Sequence, residues 1–67
     1  MKYKMDTWVD ADNVMHRSVR SYKTLESAKK HMNKWVNELE ARKSNGFLNG
    51  YNVTLVFNNR EIEKIEG

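Results

Sequence analysis

The sequence predicts an α+β domain of ββαββ order, one antiparallel sheet of four strands packed on a single helix. Three observations carry this. A long helical apolar period occupies the middle of the chain, apolar residues alternate in pairs of segments on either side of it, and turn residues gather at 11–13, 44–50 and 58–59. At 67 residues the chain is one small domain, 1–67.

The helix is expected over 25–43. Leu25, Ala28, Met32, Trp35, Val36 and Leu39 fall on one arc about 100° wide. Thr24 is a suitable N-cap, because its hydroxyl can accept an orphan amide of the first turn. Glu26 suits the positive end of the helix dipole; Arg42 and Lys43 suit the negative end. Asn45 or Gly46 can take the left-handed conformation that ends the helix. Trp35 sits at the edge of the apolar arc and is expected in the core. Lys29, Lys30 and Lys34 form a basic stripe, interrupted by Glu26 and Glu38, that reads as a solvated helix back.

Before the helix, two segments alternate as strands. Tyr3, Met5, Thr7 and Val9 share one face of the first; Met15, Arg17, Val19 and Ser21 share one face of the second. A three-residue loop Ala11-Asp12-Asn13, with Asn13 left-handed, sets Val9 opposite Met15 and Met5 opposite Val19, which gathers these apolar residues on one side. After the helix, Tyr51, Val53, Leu55 and Phe57 alternate, Asn58-Asn59 supplies a two-residue turn, and 60–66 returns as a charged edge strand with Ile62 opposite Leu55. The expected core is the helix arc against Tyr3, Met5, Val9, Met15, Val19, Val53, Leu55, Phe57 and Ile62. Phe47 and Leu48 are expected to cap it under the helix end.

Composition narrows the function classes. No cysteine is present, so disulfides and thiolate zinc sites are excluded, and a reducing, cytoplasmic setting fits. Asp6 interrupts any apolar run after the basic start, so no signal peptide is expected, and no stretch is apolar enough to span a membrane. Asn52-Val53-Thr54 matches a glycosylation sequon, which carries no meaning without secretion. The net charge of +3 permits nucleic acid or an acidic protein as partner and requires neither.

No catalytic constellation stands out, and no cofactor or metal is expected. Asp10-Ala11-Asp12-Asn13 begins like a calcium loop, but Met15 replaces the required glycine and Ser21 the closing glutamate. His16 and His31 lack ligand spacing and are placed on opposite sides of the sheet. Asp6, His16 and Ser18 are triad residue types without an oxyanion turn. The informative feature is the second face of the first hairpin. In the three-residue-loop register it gathers Lys4, Trp8, His16, Arg20 and Tyr22, with Trp8 opposite His16. An exposed tryptophan among basic residues is a candidate contact surface, since Trp, Tyr and Arg dominate interface hot spots; the alternative is that Trp8 packs flat on the neighbouring strands.

Tyr22-Lys23-Thr24-Leu25-Glu26-Ser27-Ala28 resembles a strand-to-helix junction of small phage and bacterial sheet-plus-helix domains, among them the arm-type DNA-binding domains of phage integrases. Those have three strands before the helix against two here, so no site residue transfers. The cysteine-free, lysine-rich chain also resembles bacteriophage accessory proteins, many of which bind and block a host protein. The expected function is therefore a non-catalytic protein-binding module, of the phage-type inhibitor or regulator kind. The alternative is nucleic-acid binding, with Trp8 and Tyr22 stacking bases while Lys4 and Arg20 meet phosphates. A homodimer is also expected, because so small a core leaves the aromatic face uncovered.

Overall fold

The computed structural model describes residues 2–67. Its elements are β1 (Tyr3–Ala11), β2 (Val14–Tyr22), α1 (Leu25–Ser44), β3 (Gly50–Phe57) and β4 (Arg60–Glu66). They form one antiparallel four-stranded sheet in the order β2-β1-β3-β4, with α1 on one face. The two hairpins are thus joined through the neighbouring β1 and β3, and β2 and β4 are both edges. No helix among the described residues is long and apolar enough to cross a membrane.

The helix starts and stops where its local chemistry dictates. The Thr24 hydroxyl accepts the Ser27 amide at 3.1 Å. At the other end Gly46 takes the left-handed conformation, at φ +80°. Its amide reaches the Lys43 carbonyl, and the Phe47 amide reaches the Arg42 carbonyl at 2.9 Å, which satisfies orphan carbonyls of the last turn. The loop is then pinned to the sheet by the Asn49 amide donating to the Asp10 carbonyl at 2.7 Å.

The core lies where α1 crosses β1 and β3. Met32, Leu39, Val53 and Leu55 are fully buried, with Met5, Ala28, Leu48 and Tyr51 around them. Thr7 is buried among them and accepts the Trp35 indole N–H at 3.1 Å. Tyr51 donates its phenol to Glu40, so one hydrogen bond ties β3 to the helix. Gly67 extends the β4 edge past its end, exchanging two backbone hydrogen bonds with Tyr51 and lying against that ring, where a side chain has no room.

Three expectations fail, each for a local reason. The first hairpin closes through a two-residue turn, Asp12-Asn13, with both residues at positive φ (54° and 63°). Ala11 then faces Val14, Val9 faces His16, and Met5 faces Arg20. The register moves by one, so every β2 side chain changes face. Met15 and Val19 lie on the open side, 56% and 49% exposed, while His16, Ser18 and Arg20 turn toward α1. Turn geometry outweighs the apolar alternation because β2 is an edge strand, and Tyr22 alone of its residues is not exposed.

The second hairpin does turn at Asn58-Asn59 (φ 53° and 62°), but a bulge follows. Val56 faces Glu61 and Leu55 faces Glu63, so Ile62 is the extra residue and is exposed; Ile65, opposite Val53, packs on the core instead. Finally, Leu48 caps the core as expected, whereas Phe47 is 71% exposed.

Candidate functional site

The sheet is wider than the helix that covers it. α1 lies over β1 and β3 and leaves the helix-facing side of β2 open, so a groove runs between β2 and the helix flank. The flank facing β2 carries His31, Trp35, Glu38 and Arg42, a stripe at helical spacing beside the buried arc, with Lys34 next to it.

The groove has two compartments that share Trp35 and Arg42. The first, of about 540 Å³, is apolar: Val9, Trp35, Leu39 and Leu48 line it, His16 and Ser18 of β2 form one wall, and Phe47 stands at its end. The second, of about 450 Å³, is more polar and is lined by Arg20, Tyr22, His31, Lys34 and Glu38 over Met5. The Trp35 ring is fixed from both sides. Its indole N–H is held by Thr7, and the Arg42 guanidinium lies 5.4 Å from its centroid while bonding Glu38 at 3.1 Å. At the far end Tyr22 stacks on His31 with centroids 4.8 Å apart, and the His31 Nδ1 lies 2.8 Å from the Ser27 carbonyl.

The electrostatics of the groove are one-sided. Glu38 is its carboxylate, and Arg42 already engages it. Arg20 and Lys34 are exposed, and neither has an ion-pair partner among the described residues. β2 itself carries Arg17 and Arg20 and no acid, whereas β4 carries Glu61, Glu63 and Glu66 beside Arg60 and Lys64. The β2 edge is therefore the more positive of the two, and the β4 edge is close to balanced.

The five residues expected to share a surface are divided by the corrected register. His16, Arg20 and Tyr22 line the groove, and Lys4 and Trp8 lie on the opposite, open face of the sheet. His16 and His31 stand on the same side of the sheet, not on opposite sides, but in different compartments. Trp8 faces Arg17, which lies 5.3 Å above the ring and pairs with Asp6 through two hydrogen bonds of 3.0 and 2.9 Å. Those hydrogen bonds, and then the opposite charge, hold the Arg17 guanidinium above its ordinary pKa. The open face is thus a mixed surface on which the tryptophan is already capped. Among the described residues, no three His, Asp or Glu side chains gather as a metal site would require.

Sequence reasoning missed Lys34, Trp35, Leu39, Arg42, Phe47 and Leu48 as groove residues. Trp35 at the edge of the helix arc was the available signal; its meaning depends on β2 being an uncovered edge, and strand order is not written in local pattern. No family model matches this chain, nor does any curated protein or solved structure.

Proposed function

We propose that this chain is a non-catalytic protein-binding module, acting in the cytoplasm as a small inhibitor or regulator, and that it takes an extended segment of its partner as an added strand beside β2. One observation carries the reading. β2 is a nine-residue edge strand, free of proline and of any bulge in its pairing with β1, and its inner side opens onto a preformed groove. Edge strands are normally blunted, as β4 is by its bulge and its charges. An edge left regular supplies backbone hydrogen bonds for affinity, and pockets for alternate side chains supply selectivity.

Nucleic acid is a weaker reading. Stacking needs a free aromatic face, and the ring of Trp8 is capped by Arg17. Lys4, Arg17 and Lys64 share their face with Asp6, Asp10, Glu61 and Glu66, and Arg17 and Lys64 are already paired with Asp6 and Glu66, so this face presents no basic patch to phosphate.

The test is selection of random linear peptides on the folded protein, followed by chemical-shift mapping of the winners. The reading expects shifts along β2 and at the Trp35 indole. Selection of nothing above background, or of peptides that shift only Lys4, Trp8 and Asn52, overturns it. Tight oligonucleotide binding that weakens steeply with salt would favour the alternative.

A further inference from the structure

The geometry points to an acidic partner strand: one that runs antiparallel to β2 and carries an Asp or Glu two residues before a large apolar side chain. The inference rests on the strand-addition reading and deepens it by naming the chemistry of the occupant.

Side chains of an added strand alternate between faces, so its inward residues stand about 7 Å apart along the groove. The two compartments have the same succession. Ser18 and His16 border the apolar one, and Arg20 and Tyr22 border the polar one. An inward residue opposite Ser18 meets Val9, Trp35, Leu39 and Leu48. The next inward residue, opposite Arg20, meets two cations that hold no carboxylate, Arg20 and Lys34. In an antiparallel partner the residue opposite Arg20 precedes the one opposite Ser18. The matching pattern, read from N to C, is therefore acid, any residue, large apolar.

Charge also disfavours a second copy of this chain. Pairing β2 with its own symmetry mate adds no carboxylate for Arg20, since β2 carries no acid and its other arginine, Arg17, is already paired with Asp6 on the opposite face. A partner with carboxylates meets the opposite situation, and guanidinium–carboxylate pairs are both stronger and more directional than neutral hydrogen bonds.

The test uses a fluorescein-labelled peptide, Thr-Thr-Glu-Thr-Leu-Thr-Thr, titrated against the whole chain by anisotropy at moderate salt. Companion peptides carry Lys for Glu, Ala for Leu, or the reversed order Leu-Thr-Glu. The Glu-Thr-Leu peptide is expected to bind at least about tenfold more tightly than each companion. Arg20→Glu, at an exposed position that leaves the core intact, should reverse the preference so that the Lys peptide binds better. Peptides that all shift β2 resonances with equal affinity would overturn the acidic pattern and leave strand addition standing. A reversed-order peptide that binds as well or better overturns the antiparallel placement. An oligothymidylate that displaces the peptide and outbinds it overturns the protein partner. If no peptide of any charge binds, both readings fall together.

Discussion

Replacing Thr7 by valine tests how the groove floor is held. Thr7 is buried and its hydroxyl accepts the Trp35 indole N–H at 3.1 Å. No buried side-chain polar atom among the described residues lacks a partner. Valine keeps the shape and exchanges the hydroxyl for a methyl, which gains at most about 0.8 kcal/mol of apolar burial. Against this stand a lost hydrogen bond, worth about 0.5–1.5 kcal/mol net, and a stranded indole donor at about 1–3 kcal/mol. Trp35 is only half-buried, so water can reach the donor and the lower end applies. The expected balance is a loss of about 1 kcal/mol, which for a domain this size lowers Tm by about 4–8 °C. In a Trp35→Phe background the hydroxyl has already lost its donor, so the same change should be neutral or stabilising. The coupling from a four-protein cycle, read by urea unfolding, should be about 1–2 kcal/mol. An identical effect of Thr7→Val in both backgrounds would show that the bond does not orient the ring.

Three further outcomes follow from the described geometry. Ile65→Ala should cost more than 1 kcal/mol, within the range of about 1–4 for a partly buried aliphatic, while Ile62→Ala at the bulge should cost under about half a kcal/mol; the reverse order in thermal melts would contradict the bulge. Asn13→Gly should be neutral or stabilising and Asp12→Val destabilising by about 1 kcal/mol or more, because both turn residues hold positive φ; a tolerated valine at position 12 would contradict the two-residue turn. Glu40 accepts the Tyr51 phenol proton and raises its pKa, through the hydrogen bond first, burial next and the carboxylate charge last. A raised folded-state pKa gives stability that is complete below the unfolded value of about 10 and is lost as pH rises through the folded value. The stability gap between the native chain and Tyr51→Phe should therefore narrow above about pH 10, and a gap that stays constant across that range would contradict the bond.

Much of the fold was legible because its signals are local. Thr24 and Gly46 punctuate the helix as their chemistry requires, and the buried Met32 and Leu39 come from the arc that the period defines. The Asn58-Asn59 turn was legible for the same reason. The first hairpin was misread because two signals disagreed. Apolar alternation in β2 favoured Met15 and Val19 inward, whereas the Asp12-Asn13 dipeptide favoured a tight turn that sends them outward. Alternation is a strong guide only where a face is buried, and every β2 residue except Tyr22 is exposed. That single-residue shift separated Lys4 and Trp8 from His16, Arg20 and Tyr22. The bulge at Ile62 left no mark in composition, since Ile62 and Ile65 are equally apolar and only packing beneath Val53 distinguishes them. The groove was hidden for a related reason: it exists because β1 and β3, distant in sequence, are neighbours, which leaves β2 at the sheet edge with only its Tyr22 end packed on the helix.

Hydrogen exchange of the β2 amides, measured with and without a saturating selected peptide, tests the central claim most directly. An added strand hydrogen-bonds the outward-facing amides of 14–22, which alternate along the strand. Strand addition predicts that these alternate amides slow by more than about tenfold while those of β4 keep their rates. Unchanged exchange along β2, with protection appearing instead around Lys4, Trp8 and Asn52 on the open face, would contradict it.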